Sequence, residues 1–182
     1  MAESIIIAGM TGQGKSPFTR ALLQLNPGRG CLVYDVNNEY GEFCGKEKVK
    51  FKSLGLTTDI RAQRCRYAKR DMNMTEFMNI AKCKSNCDIV FEEATVFFYG
   101  RIQTDLIQLV VNKGHTNNNY IFLFHSLANI PPTLLRITNK LVLFKTADSR
   151  ADVQAKNERL LPYFEKAQNL PKGEPIIIPW ID

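Results

Sequence analysis

Residues 4 to 16, Ser-Ile-Ile-Ile-Ala-Gly-Met-Thr-Gly-Gln-Gly-Lys-Ser, leave this chain few folds to choose from. The apolar β-branched run Ile5 to Ile7 predicts a buried strand. It passes directly into Gly9-x-x-x-x-Gly14-Lys15-Ser16, and a helical run follows from about Pro17 to Leu25. A strand that turns through glycines into a helix N-terminus directs backbone N–H groups inward, where the helix end adds partial positive charge. Phosphate oxygens fit such a turn. Gly9, Met10, Thr11, Gly12, Gln13, Gly14, Lys15, Ser16 and Pro17 are therefore expected to cradle the phosphates of ATP or GTP. Lys15 is expected to reach the β and γ phosphates, and the Ser16 hydroxyl to help hold Mg²⁺. Pro17 is tolerated because the first helical turn makes no use of its missing N–H.

A second stretch bears on what happens to the nucleotide. Asp88-Ile-Val-Phe91-Glu92-Glu93 predicts a short buried strand ending in two adjacent acids. In phosphate-loop enzymes the first such acid supports Mg²⁺, which assigns Glu92 to the metal. The second can polarise the attacking water, which makes Glu93 the candidate catalytic base. An acidic helix cap is the plainer alternative. The run Tyr120-Ile-Phe-Leu-Phe124 predicts another buried strand, ending at His125-Ser126, where polar side chains are expected to sense the γ phosphate. A hydrogen-bonded histidine at a strand end fits His125 as well.

Between these strands, Cys31-Leu-Val-Tyr34-Asp35 predicts a strand after the first helix, so the chain crosses over onto a parallel sheet. Asp35 and Glu39 then fall at the carboxyl edge of that sheet, where open α/β folds bind ligands. Further helices are expected from Asn73 or Thr75 to about Lys84, from Thr104 or Asp105 onward, from Pro131-Pro132 to Ile137, and over 149 to 168. Lys140 to Phe144 predicts a strand, and Pro175 to Trp180 an edge strand, which its prolines suit. Without repeats or linkers, the 182 residues read as a single α/β domain.

The whole-chain charge of +6 is concentrated in one place. Segment 46 to 70 carries nine basic residues (Lys46, Lys48, Lys50, Lys52, Arg61, Arg64, Arg66, Lys69, Arg70) against Glu47 and Asp59. Within it, Val49 to Lys52 and Arg64 to Ala68 alternate as short strands do. Charge alone leaves a polyanion partner and a solvated basic hairpin equally open. The five cysteines are odd in number and scattered, which fits reduced thiols; Cys83-x-x-x-Cys87 has no second pair to complete a zinc site. The longest apolar run is strand-sized, and Met1-Ala2-Glu3 leads straight into the first strand, so the expectation is a cytoplasmic protein without a leader or a membrane span.

Taken in order, these pieces resemble the HerA/FtsK superfamily of phosphate-loop ATPases, in particular the small viral members that package genomes. The likeness is carried by the phosphate loop, Tyr34-Asp35-x-x-x-Glu39-Tyr40, Glu92-Glu93-Ala94, Lys113-Gly114-His115 and Phe122-Leu-Phe-His125-Ser126 with Ile130-Pro131-Pro132. Zot-like phage assembly ATPases share the pattern. The resemblance implies a RecA-like three-layer fold with a mostly parallel central sheet, the acidic-pair strand lying beside the loop strand. It further implies a ring, usually hexameric, around DNA, with ATP hydrolysis and Mg²⁺ driving DNA movement. On that basis Lys15 and Ser16 bind phosphate and metal, Glu92 supports the metal, and Glu93 is the base. The polar residue ending the fourth strand, often Gln in the family, is His125 or Ser126 here. A positive finger from the neighbouring subunit would be Arg101, Lys113, Arg136 or Arg150. DNA is expected on segment 46 to 70, viral capsid or membrane-vertex proteins as further partners, and host cytoplasm or virion as the location. The other readings are a Zot-like assembly or secretion ATPase, a small nucleotide kinase with segment 46 to 70 as a lid, and an ATP-bound structural subunit.

Overall fold

The β-branched run at the start of the chain forms β1, Ser4–Ala8, buried at every position. The computed structural model describes residues 2–37, 39–40, 64–67, 74–98 and 100–179 (backbone only at 64–67 and 100–102). After β1 come α1 (Lys15–Gln24), β2 (Gly30–Tyr34), β3 (Arg64–Tyr67), α2 (Met74–Lys82), β4 (Cys87–Phe91), α3 (Gly100–Val111), a single-turn α4 (Lys113–Thr116) and β5 (Asn119–Phe124). The chain continues through α5 (Pro132–Ile137), β6 (Lys140–Leu143), α6 (Arg150–Asn157), α7 (Leu161–Gln168) and β7 (Ile176–Pro179). The strands form one seven-stranded sheet in the order β3-β2-β4-β5-β1-β6-β7. All neighbouring pairs are parallel except β6 with β7, which closes one edge antiparallel.

The acidic-pair strand does not lie beside the loop strand. β5 separates them, pairing with β1 from Ser4↔Tyr120 to Ala8↔Phe124 and with β4 from Asp88↔Asn119 to Phe91↔Phe122. Tyr120 to Phe124 are all buried, as suits a strand with neighbours on both edges and helices on both faces. The register has a direct consequence for the site. His125, the residue after β5, emerges between the phosphate loop that follows β1 and the acids that follow β4.

Alternation along the strands divides the core into two layers. Ile5, Ile7, Val33, Val90, Ile121 and Leu123 face α1 through Leu23, with Tyr40 in the same cluster. Ile6, Ala8, Leu32, Ile89, Phe91, Phe122 and Phe124 face the helices on the other side, through Phe77 and Met78 of α2, Leu106 and Val110 of α3, Leu134 of α5, Val153 of α6 and Phe164 of α7. The architecture is thus three layers with a mostly parallel sheet in the middle, as the sequence led us to expect.

Two helices differ from expectation. Residues 149 to 168 form α6, a 3-10 turn (Glu158–Leu160) and α7, because Pro162 sits in the first turn of α7 and cannot continue an existing helix. α3 begins at Gly100, so Thr104 and Asp105 lie inside it; Asp105 pairs with Lys82 of α2 at 2.8 Å. Segment 46 to 70 and the strand expected at Val49 to Lys52 lie outside the described residues, apart from β3, which pairs with β2 at the sheet edge.

Candidate active site

The loop after β1 is drawn tightly against the neighbouring strand ends. The Gly9 N–H donates to the Phe124 carbonyl at 3.0 Å and the Met10 N–H to the Lys145 carbonyl at 2.9 Å. A Cβ on Gly9 would stand 2.6 Å from the Phe144 Cβ, so only glycine permits this approach. Gly14 caps α1 at φ 97, a left-handed conformation that lets the chain turn into the helix. Lys15 opens α1, and its buried ammonium donates to the carbonyls of Gly9 at 2.6 Å and Met10 at 3.2 Å. Burial pushes its pKa down, opposed by the charges of Glu93, Glu39 and Glu92.

The loop borders a cleft of about 730 Å³ at the carboxyl edge of the sheet. Thr11, Gly12, Gly14, Lys15, Ser16 and Pro17 line it from the loop and the start of α1. Gly9, Met10 and Gln13 do not; they shape the loop from behind, and the Gln13 side chain is buried. From the strands opposite come Glu92, Glu93, Leu123 and His125, and from the loop after β2 come Asn37 and Glu39.

The acids occupy different environments. Glu92 is 3 % exposed, and one carboxylate oxygen accepts the Asn37 N–H at 3.1 Å. Burial, reinforced by the nearby charges of Asp35, Glu39 and Glu93, pushes its pKa up to about 7. Glu93 is half-buried and lies at φ 55 in the left-handed region, followed by a 3-10 turn, Ala94–Phe97. That turn is anchored from below by Phe97, whose ring packs edge-on to Tyr34 and Phe91 at 4.8 and 4.9 Å. Asp35 is buried beneath the cleft and accepts the N–H groups of Glu39 at 2.7 Å and Tyr40 at 3.1 Å. It shapes the loop that presents Glu39. The Tyr40 hydroxyl is fully buried beside those of Thr19 and Ser16 without closing a hydrogen bond to either.

His125 and Ser126 part company. The His125 Nε2 lies 2.5 Å from Glu93 Oε1, and its Nδ1 lies 3.2 Å from Lys15 Nζ and 3.5 Å from Thr11 Oγ1. Ser126 is not in the cleft lining: its hydroxyl donates to Asp148, which also accepts the Leu127 N–H at 2.7 Å. Ser126 thereby fastens the segment after β6 to the end of β5.

Sequence reasoning passed over Arg20 and Asn37. Arg20 follows Ser16 by four residues, so it shares a helix face with it, and its guanidinium donates to the Glu39 carbonyl at 2.8 Å. That helical spacing was a signal available in the sequence; nothing local marked Asn37. The residues present fit a divalent cation beside a triphosphate. Burial among other carboxylates raises the Glu92 pKa, and a cation at Ser16 and Glu92 would offset that crowding of negative charge. Among the described residues no three His, Cys, Asp or Glu side chains form a self-sufficient metal site, so such an ion would also draw on phosphate and water oxygens.

Three of the four finger candidates, Lys113, Arg136 and Arg150, are not in the lining of this cleft. Lys113 lies at the amino edge of the sheet, donating to the Ser4 hydroxyl at 3.1 Å and the Ile137 carbonyl at 3.2 Å. Arg150 pairs with Glu165 at 3.0 Å on the surface. Arg136 is exposed, beside a small cleft it shares with Lys156 and Arg159. The Arg101 side chain lies outside the described residues.

No family model matches the sequence, and no curated protein matches it. Solved structures do. The genome packaging NTPase B204 of Sulfolobus turreted icosahedral virus 2, in complex with AMP, superposes with a TM-score of 0.75 at 14 % identity, covering 98 % of this chain and 92 % of that one. B204 of Sulfolobus turreted icosahedral virus, described as a DNA-packaging ATPase, gives 0.71 at 15 % identity over 99 % and 98 %. EssC (ATPases 2 and 3) from Geobacillus thermodenitrificans gives 0.58 at 15 % identity, covering 97 % of this chain and 37 % of that one. In its described residues this chain has the fold of those ATPases.

Proposed function

We propose that this chain is an ATP-hydrolysing, genome-packaging motor subunit of a virus or phage. One observation carries the hydrolytic part: Lys15 and Glu93, which follow strands that are not neighbours, are joined through a single side chain, His125, at 3.2 and 2.5 Å. The loop N–H groups and Lys15 hold the β and γ phosphates, and Glu93 accepts the proton of the water that attacks the γ phosphate. Arg20 and Glu39 close the side of the cleft toward β2. Ser16 and Glu92 would hold Mg²⁺, which, when bound, offsets charge on the phosphate oxygens. The nature of the motor is supported by the B204 structures, one a complex with ATP-gammaS with a TM-score of 0.74.

The coupling to DNA rests on segment 46 to 70, with its nine basic residues. The motor works as a homo-oligomeric ring of six subunits around DNA, in host cytoplasm or on the virion, with capsid or membrane-vertex proteins as further partners. A cation from the neighbouring subunit, Arg101, Lys113, Arg136 or Arg150, completes each site. No helix among the described residues is long and apolar enough to cross a membrane. The test is ATP turnover with and without DNA. Glu93→Gln is expected to bind ATP as the unaltered chain does and to hydrolyse it at least about a hundredfold more slowly, general-base catalysis contributing that much or more. Normal turnover by Glu93→Gln would overturn the assignment of the base.

A further inference from the structure

We propose that His125 is a positioning residue that ties Glu93 to Lys15 in the nucleotide-free chain, and that a γ phosphate frees Glu93 by taking Lys15 away from it. The proposal rests on the nucleotide-hydrolysis reading above. Its basis is the number of donors on one ammonium. A lysine ammonium has three N–H groups and no acceptor. Lys15 has three partners: the carbonyls of Gly9 at 2.6 Å and Met10 at 3.2 Å, and His125 Nδ1 at 3.2 Å. Its donors are therefore fully engaged before any nucleotide arrives, and a phosphate oxygen must displace one partner.

Which partner yields follows from how each is held. The Gly9 carbonyl shares its peptide plane with the Met10 N–H, which donates to the Lys145 carbonyl at 2.9 Å, and the Met10 carbonyl also accepts the Gln13 N–H at 3.4 Å. The imidazole is a half-exposed side chain that turns about two bonds. His125 is the partner that gives way.

The same bond fixes the tautomer. An ammonium only donates, so Nδ1 accepts and the ring proton sits on Nε2, where it is donated to Glu93 Oε1 at 2.5 Å. One neutral ring thus satisfies a cation at one end and a carboxylate at the other. The Glu93 backbone is fixed at φ 55 by the turn that follows it, so the aim of its carboxylate is set by its side-chain partner. While His125 is anchored to Lys15, that carboxylate oxygen is occupied. When Lys15 turns to the γ phosphate, the ring loses its second anchor. Thr11, whose hydroxyl is 3.5 Å from Nδ1, is the donor at hand for the vacated lone pair, and Glu93 is released toward water.

A direct γ-phosphate sensor predicts the opposite sign, which makes the idea testable. Binding of AMPPCP and of AMP to the whole chain would be measured calorimetrically for the unaltered protein, His125→Ala and His125→Gln, alongside steady-state ATP hydrolysis. With its internal competitor removed, His125→Ala is expected to bind AMPPCP about three- to tenfold tighter, the range of one hydrogen bond. AMP has no γ phosphate to claim Lys15, so its affinity should not move. KM for ATP should fall with the AMPPCP constant. A glutamine amide accepts at one end and donates at the other, so His125→Gln should restore the original AMPPCP affinity. Equal or weaker AMPPCP binding by His125→Ala would overturn the proposal, as would tightening of AMP by the same factor. If the unaltered chain bound neither nucleotide, the parent reading would fall as well, so the two failures are distinguishable.

Discussion

Glu92 shows how one carboxyl group can trade stability for a binding site. Its pKa in the folded chain, about 7, lies above its ordinary value of 4.5. Between these two values the folded chain holds a proton that the unfolded chain has lost. Its contribution to stability is thus fully present below about pH 4.5 and disappears as pH rises through 7. Glu92→Gln removes the titration. It is expected to raise the stability of the nucleotide-free protein at pH 8 by roughly 2 kcal/mol and to flatten the fall between pH 5 and 7. Urea denaturation of both proteins across that range measures it; identical pH profiles would show that Glu92 ionises as an exposed acid does. The opposite edge of the sheet holds a charge that is fully matched. Asp88, 3 % exposed, accepts from Arg29 at 2.8 Å and from the Asn119 amide at 2.7 Å.

At the scale of elements, the two edges of the sheet divide the labour. At the amino edge Arg29 also reaches Asn86, the Cys87 carbonyl and the Asn117 carbonyl, joining the turns before β2, β4 and β5. Removing one partner of a buried pair leaves the other charge uncompensated. Asp88→Ala is therefore expected to destabilise the fold by about 3 kcal/mol while leaving ATP turnover per folded molecule unchanged, as denaturation and activity at low temperature would show. At the carboxyl edge the elements aim side chains instead. The Phe97 turn sets Glu93, the Asp35 cap sets Glu39, and the end of β5 sets His125. The elements themselves were largely legible. β1, β4, β5, β6 and β7 follow short, nearly continuous apolar runs of the kind that form buried strands. Pro162, in the middle of the stretch expected to be one helix, marked its break, though polar periodicity alone ran through it.

The whole molecule adds a charge asymmetry that no single element explains. Segment 46 to 70 accounts for the basic excess of the chain, and the packaging reading gives that excess a polyanion to bind. DNA is then expected to stimulate ATP turnover, with the DNA concentration for half-stimulation rising steeply with salt. Replacing Lys46, Lys48, Lys50 and Lys52 with glutamine should weaken that dependence, lowering its logarithmic slope by up to about one for each phosphate that a lysine no longer neutralises. An unchanged slope would move the DNA-binding surface elsewhere, and turnover indifferent to DNA would argue for a small-molecule acceptor or an ATP-bound structural role.

The strand–loop–helix turn from Gly9 to Ser16 was legible in the sequence because its requirements are local. Glycine at 9 and 14 answers to close approach and to a positive φ, and Lys15 and Ser16 follow within one helical turn. The two acids at 92 and 93 were legible because a buried strand that ends in adjacent carboxylates has few uses. The partners of these groups were not, because they depend on strand order, which hydrophobic period does not encode. Placing β5 between β1 and β4 brings His125 onto Glu93 and Lys15, 32 and 110 residues away in the chain. The same packing turns Ser126 to Asp148 and closes Asp35 over its own loop. Residue type and spacing determined which groups stand at the carboxyl edge of the sheet; tertiary packing alone decided what holds them there.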